Sequence, residues 1–283
     1  MALPPPEALH VLGGGSIGLL LASTLRAAFP SYPVQVITRR SRPSPITVCL
    51  QSPTTPPRLV PVPCRTNPTN VRHVIVATKA YQAREALQAI PHSVHIHLWC
   101  NGALSVRDEL DHPHVHLGTL THGVYREEDE DLVHLHWTGH GHIQTDTEWL
   151  AAYYTAAGMN ALHTDQIEEV LWKKLAANCI INPLTAVHQI QNGVLLTEHR
   201  EEQLMLLEEF VGVYLKLYPS SELPDFAGYV HQVLHDTKEN WSSMCQDVRE
   251  GRPTEIDYLN GYLLRFGECP THAALVQRIN TGL

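Results

Sequence analysis

The residues best suited to chemistry fall in a few short stretches. Gly13-x-Gly15-x-x-Gly18 directly follows the apolar run at 8–12 and opens an apolar, helix-compatible segment from Ile17 to Phe29 that Pro30 stops. Small residues at such a strand-to-helix turn let the backbone approach a pyrophosphate. The helix N-terminus then offers unpaired N–H groups and a partial positive charge. Gly13, Gly15, Ser16, Ile17 and Gly18 are therefore candidate dinucleotide contacts, with a purely structural glycine turn as the competing reading. The next β-like run, 33–38, ends in Thr38-Arg39-Arg40 with no acid. A site for NAD carries Asp or Glu there for the ribose 2′-hydroxyl, whereas a basic group suits the 2′-phosphate of NADP. Arginine's planar fork matches a phosphate. The pattern favours NADP with Arg39 as its reader; the alternative is a solvated basic loop made with Arg40 and Arg42.

A different chemistry is offered by the stretch 171–186. With about 3.6 residues per turn, Lys174, Asn178 and Asn182 share one helix face, while Leu175, Cys179 and Ile180 line others that look buried. A lysine among amides on an otherwise apolar helix is costly unless those groups meet each other or a ligand. A lysine reaching solvent beside two surface amides is an equally weighted reading. Lys173 points to another face, and Asn182-Pro183 predicts a kink because proline lacks an N–H and crowds the preceding turn. The segments 239–244 and 254–261 contain Asn240, Ser243 and Glu255; taken alone they read as helix-surface residues, with Thr254 and Asp257 as a local cap.

These stretches must be positioned by two kinds of element. The first is a strand, glycine turn, helix and strand unit within about thirty residues. Strand at 74–78, helix at 81–90 and strand at 94–100 continue the alternation, the signature of a parallel doubly wound sheet. Proline-rich residues 42–63 read as an irregular excursion or edge hairpin, and 115–124 and 132–144 as closing strands. From residue 166 onward the pattern is helical, at 167–187, 201–218, 225–246 and 255–266. The expected fold is an α/β Rossmann-type domain over 1–165 followed by an all-α domain over 166–283.

Composition bounds the rest. The 283 residues suffice for two domains, and an apolar content of 43% suits a globular protein. A net charge of −9 argues against nucleic acid as a partner. No run reaches the roughly 18 apolar residues that cross a bilayer. Residues 1–7 lack the basic and apolar regions of a secretory signal, so a cytoplasmic protein without a membrane partner is expected. The 6 cysteines form no C-x-x-C pair and are expected to be reduced. Among 19 histidines, His134-x-His136 and His140-x-His142 would each share a strand face. No obvious ligand set completes them, so no metal is expected. His122 could approach the active site through its loop.

Taken together and in order, GGGSIG (13–18), VATKAYQ (76–82), CNGA (100–103), GTLTHG (118–123), LWKKLAANCIINPLTAV (171–187), ENWSSM (239–244) and TEIDYLNGYLLR (254–265) resemble the ketopantoate reductase family over nearly the whole chain. The resemblance implies a helical domain like the C-terminal domain of 6-phosphogluconate dehydrogenase and NADPH-dependent reduction of 2-dehydropantoate to (R)-pantoate in pantothenate synthesis. It implies Lys174 as the general acid and Asn178 and Asn182 as substrate holders. Asn240 and Ser243 would contact the substrate carboxylate, and Glu255 its hydroxyl. Asn101 would sit near the nicotinamide and the reacting centre, while Lys79 and Arg39 would meet the cofactor phosphate with Gln82 nearby. A homodimer is compatible with this reading. A related NADP-dependent dehydrogenase for another 2-oxo or 3-hydroxy acid is the alternative, and a non-enzymatic NADPH sensor a further one. The chain departs from the family pattern in its proline-rich 43–63 segment and in a short connection at 266–270.

Overall fold

The computed structural model describes residues 8–39, 44–53, 55–66, 70–88, 90–129, 132–138 and 140–282. Arg40 and Arg42 of the basic cluster, and residues 1–7, lie outside the described residues. The chain divides into two compact units, Met1–Ile167 and Glu168–Leu283.

The first unit opens with β1 (Leu9–Leu12), α1 (Ser16–Ala28) and β2 (Val34–Ile37), followed by the antiparallel hairpin of β3 (Ile46–Ser52) and β4 (Thr55–Val62). Next come β5 (Cys64–Arg65), β6 (His73–Val76), α2 (Ala80–Leu87), β7 (His95–Leu98), α3 (Ala103–Asp108) and β8 (Val115–Leu120). After them run β9 (Val124–Glu128), β10 (Leu132–Trp137), β11 (Ile143–Thr145), α4 (Glu148–Ala156) and β12 (Ala161–His163). The main sheet has the order β12-β11-β8-β7-β6-β1-β2-β5. Its pairs are parallel except β11 with β8. The order grows one way from β1 through β2 and the other way through β6 to β8. The topological switch therefore lies between β1 and β6, and a ligand crevice belongs at the carboxyl ends of those strands.

The proline-rich excursion is the β3–β4 half of a second sheet, ordered β4-β3-β10-β9. Pro56, Pro57 and Pro61 fall on β4, an edge strand, where a missing N–H costs no ladder bond and blunts edge pairing. Between the two sheets runs α1, packed on β1 and β2 on one side and on β3, β4, β9 and β10 on the other. That explains why Gly18 to Leu25 are buried without a polar face. Each fully buried leucine there contributes roughly 1.5–3 kcal/mol.

The run 132–144, expected as one strand, is two. Gly141, at φ +118, turns the chain where a side chain would meet the His122 backbone, so His140 and His142 lie in a connection and not on a strand.

The second unit contains α5 (Ile167–His188, its first residue closing the other unit), α6 (Arg200–Leu217), α7 (Phe226–Asp236), α8 (Ser243–Arg249), α9 (Asn260–Leu263) and α10 (Pro270–Asn280). Short 3₁₀ turns sit at Asn192–Leu196 and Ile256–Tyr258, and among the described residues this unit has no strand. Trp172 of α5 anchors its core, with edge-to-face contacts to Phe210, Tyr214 and Tyr218 at 5.5–5.9 Å. The helix expected at 225–246 is divided. Ser242 caps a new helix, its hydroxyl accepting from the Cys245 N–H at 3.1 Å, and a cap requires a non-helical backbone at its own position. Residues 255–266 likewise resolve into a 3₁₀ turn and α9, separated by Leu259 at φ −103, ψ −89. No helix among the described residues is long and apolar enough to cross a membrane.

Candidate functional site

In the first unit, the residues singled out for a cofactor follow the carboxyl ends of four neighbouring parallel strands. Gly13–Gly18 follow β1, Arg39 follows β2, Lys79 and Gln82 follow β6, and Asn101 follows β7. The glycine turn is shaped by close approach. Gly13 has φ +120, and a Cβ on it would lie 3.0 Å from the Ala77 carbonyl oxygen, so it holds β1 against the end of β6. A Cβ on Gly18 would lie 1.9 Å from the Gly13 oxygen. Gly15 is different: nothing lies within 4 Å of the corresponding position, and the residue is exposed. No protein contact demands glycine there; a phosphate approaching the backbone would.

Electrostatics points the same way. Gly15 is the N-cap of α1 and Lys79 the N-cap of α2, and neither supplies a side-chain cap. The first turns of both helices contain no acid, and Ser16 and Ile17 open α1. Their N–H groups and dipoles thus present a positive field at the carboxyl edge of the sheet. The cradle fits a dinucleotide pyrophosphate. Beyond β2, Thr38 is buried and donates its N–H to the Arg65 carbonyl at 2.9 Å, leaving Arg39 exposed at the strand end. Asn101 sits half-buried ahead of α3, beside Gly102 at φ +67.

The structure adds a residue that the spacing did not reveal. Arg126 of β9 donates from Nη1 to the Gly14 carbonyl at 2.6 Å and pairs with Glu128. It braces the glycine turn from the second sheet.

In the second unit, Lys174, Asn178 and Asn182 share one face of α5, and Asn182 donates to Asn178 at 3.4 Å. Lys174 and Asn178 are half-buried and Asn182 is 9% exposed. Lys173, on another face, pairs one turn back with Glu169 at 2.6 Å. The polar segments later in the chain are tied to this stretch of α5. The Thr185 and Ser242 hydroxyls are hydrogen bonded at 2.7 Å, which seats the exposed Asn240 and Ser243 beside the Asn182 turn. Asn260 donates from Nδ2 to the Cys179 carbonyl at 2.8 Å, which brings the segment carrying buried Glu255 (4% exposed) against α5 at the level of Asn178.

That last bond has a local cause. α5 runs on through Pro183 to His188. Proline at 183 lacks the N–H that would have bonded the carbonyl of Cys179, four residues earlier. Asn260 takes up the orphaned carbonyl and also bonds His272 Nδ1 at 2.8 Å, while His272 Nε2 meets the Leu206 carbonyl at 3.0 Å. Since a carbonyl can only accept, Nε2 carries the proton and Nδ1 accepts. Burial lowers the His272 pKa and keeps the ring neutral. A second clasp fixes the approach to Glu255: Arg252 Nε donates to the buried Asp247 carboxylate at 2.9 Å, and the Arg252 N–H to the Asp247 carbonyl at 2.8 Å.

The strand histidines are accounted for differently than the sequence suggested, because carboxylates do lie close by. His134 and His136 face Asp129 and Glu127 across β9–β10, each at 3.1 Å, as two separate pairs. His122 is buried against Trp137, and burial lowers its pKa.

Likeness to known proteins runs through both units. Residues 9–146 match the family described as ketopantoate reductase PanE/ApbA, and 166–281 its C-terminal domain. The 2-dehydropantoate 2-reductase of Vibrio cholerae serotype O1 is 32% identical over 296 residues, covering 96% of each chain. Among solved structures, a PanE/ApbA family ketopantoate reductase from Ralstonia eutropha superposes with a TM-score of 0.79 at 23% identity over 98% of both chains. D-mandelate dehydrogenase in complex with NADH and anilino(oxo)acetate reaches the same TM-score of 0.79 at 19% identity, again over 98% of both chains. The two structural likenesses establish the fold. The family descriptions, which span both the glycine-turn unit and the helical unit built on α5, go further: this chain belongs to the ketopantoate reductase family.

Proposed function

We propose that the protein reduces 2-dehydropantoate (ketopantoate) to pantoate with NADPH. The observation that carries this reading is the polar face of α5, where Lys174, Asn178 and Asn182 interrupt an otherwise buried helix in a chain of this family. When bound, the dinucleotide supplies the hydride. Addition to the ketone carbon puts negative charge on the oxygen, and the Lys174 ammonium stabilises that charge and delivers the proton. Asn178 and Asn182 hold the ketone end, Asn240 and Ser243 meet the carboxylate, and Glu255 accepts from the substrate hydroxyl. Gly13 to Gly18 cradle the pyrophosphate, Lys79 and Gln82 flank it, and Asn101 lies at the nicotinamide end.

The choice of NADP over NAD rests on Arg39, which stands where an acid would read a 2′-hydroxyl. Charge-assisted hydrogen bonds contribute ~1.5–3 kcal/mol. Arg39→Ala should therefore weaken NADPH roughly 10- to 150-fold and leave NADH nearly unchanged. Equal losses for both cofactors would remove Arg39 from the 2′-phosphate.

A second reading is reduction of a different 2-oxo acid, favoured by the equal fold likeness to D-mandelate dehydrogenase. NADPH oxidation measured with ketopantoate, 2-oxo-2-phenylacetate and unbranched 2-oxo acids separates the two. The proposal expects kcat/KM to be highest for ketopantoate; a higher value for any of the others overturns it.

A further inference from the structure

A cluster in the second unit remains unused by this chemistry. α5 ends at His188, and the chain re-enters helix at His199, the N-cap of α6, with φ 56 and ψ 28. That left-handed backbone is unfavourable for a histidine, and here its imidazole stacks on that of His188, centroids 3.7 Å apart. Glu202, three residues on and on the same helix face, divides its carboxylate between them. Its Oε2 lies 3.0 Å from His188 Nε2 and its Oε1 3.4 Å from His199 Nδ1.

We propose that His188, His199 and Glu202 bind a divalent cation of the zinc, cobalt and nickel class. The donor atoms lie within 4.8 Å of one another, and among the described residues no other three His, Cys, Asp or Glu donors converge so closely. Two imidazole nitrogens and one carboxylate are a ligand set for borderline cations; magnesium and calcium require oxygen. Tetrahedral zinc with ligands at about 2.0–2.1 Å sets its donors roughly 3.3–3.5 Å apart. Of the spacings at Glu202, 3.4 Å lies within that range and 3.0 Å just below it, so turning the two stacked imidazoles towards a common point seats the ion. Three protein ligands leave a fourth position for water.

The ion staples the connection 189–198, and that connection grips the turn carrying Asn240. The Asn192 N–H donates to the Asn240 carbonyl at 2.9 Å, the Gly193 N–H to the Lys238 carbonyl at 2.9 Å, and Gln191 Nε2 to the Glu239 carbonyl at 3.0 Å. Asn192 Nδ2 adds a bond to Thr237 Oγ1 at 2.9 Å. Closing this loop stabilises the folded unit, because the ligands converge only when it is folded.

The test is a calorimetric titration of chelator-treated full-length protein with Zn²⁺, alongside melting curves with and without the ion. Wild-type protein should show a saturable event that the near-isosteric Glu202→Gln and His199→Asn variants each weaken about tenfold or more. Zn²⁺ should raise the wild-type melting temperature but not that of the variants. Because other histidines also attract zinc, a His134→Gln/His136→Gln variant serves as the comparison and should titrate like wild type. Co²⁺ should give the visible absorption of a low-coordinate nitrogen–oxygen site, lost in Glu202→Gln. The proposal is overturned if Glu202→Gln, with a metal-free melting temperature matching wild type, titrates as wild type does. It is also overturned if the wild-type protein shows no event stronger than a His188→Gln/His199→Asn/Glu202→Gln triple variant retains.

Discussion

Gly15 and Gly18 stand in one turn and answer to different demands. A methyl at Gly18 would strike the Gly13 carbonyl, so that glycine serves the fold; a methyl at Gly15 would meet no protein atom. Gly15 also has an ordinary extended backbone, φ −80 and ψ −177, that alanine accepts. Gly15→Ala should therefore leave stability within ~0.5 kcal/mol of wild type, yet weaken NADPH binding about tenfold or more by blocking the pyrophosphate. Unchanged cofactor titration would make the turn structural. The paired lysines allow a similar separation. Lys174→Ala should lower kcat by ~10²–10⁴ while sparing NADPH affinity. Lys173→Ala removes a half-buried i,i+4 helical pair with Glu169 worth ~0.3–0.5 kcal/mol and should leave turnover close to wild type. Equal damage in steady-state assays would contradict the division of the two lysines between helix faces.

At the scale of the element, α5 shows how a helix keeps a proline. The carbonyl that Pro183 orphans is buried, and an unpaired buried carbonyl costs ~1–3 kcal/mol; Asn260 answers it from the far end of the unit. Thr185 donates back to the Ile181 carbonyl at 2.7 Å, a contact that eases a helix into a bend, and its oxygen is left to accept from the Ser242 hydroxyl. The polar positions of α5 are thus fixed by the same bonds that repair its backbone. Asn260→Ala should cost ~1–3 kcal/mol in urea denaturation. In a Pro183→Ala background the backbone N–H returns to the Cys179 carbonyl, so the same substitution should cost ~0.5–1.5 kcal/mol less. Strict additivity of the two changes would show that the proline and Asn260 do not share that carbonyl.

Across the whole molecule, buried neutral histidines tie stability to pH. In the first unit His73, His95, His97 and His116 lie on adjacent strands β6, β7 and β8. His73 meets His97 at 3.2 Å and His95 meets His116 at 2.9 Å. Burial, reinforced by His116, His73 and His95, holds His97 well below its usual range. Burial also lowers His10, His116, His122 and His272. Each of these is depressed in the folded state, so the unfolded chain takes up protons first. Their contribution to stability is complete above the ordinary value of 6.5 and is lost as pH falls below it towards the folded values. The melting temperature should drop by several degrees from about pH 7.5 to about pH 5.5, since ~1 kcal/mol moves a domain of this size by about 2–4 °C. A flat profile would mean that folding does not depress the titration of these histidines.

What the sequence determined by itself was whatever neighbours in the chain encode. The glycine turn, the missing acid before Arg39, the shared face of Lys174, Asn178 and Asn182, and the change from α/β to helical pattern all follow from spacing, turn chemistry and periodicity within a few residues. The elements that carry those signals, β1, α1, β2 and α5, are observed, whereas the longer runs at 132–144, 225–246 and 255–266 are each divided. Only the tertiary structure decided which distant groups complete them. Arg126 reaches the Gly14 carbonyl across 112 residues of sequence, and Asn260 reaches the Cys179 carbonyl across 81. Nothing local to Asn260 announces that a proline elsewhere has freed a carbonyl for it. The break before α8 escaped the periodicity; Ser242 caps the Cys245 N–H locally, and Thr185, 57 residues away, bonds the same hydroxyl. His188, His199 and Glu202 follow no metal-binding spacing along the chain; a left-handed backbone at His199 and the fold of the connection bring them together. Local bonds set the elements, whereas buried polar groups take their partners from whichever segment the core packs against them.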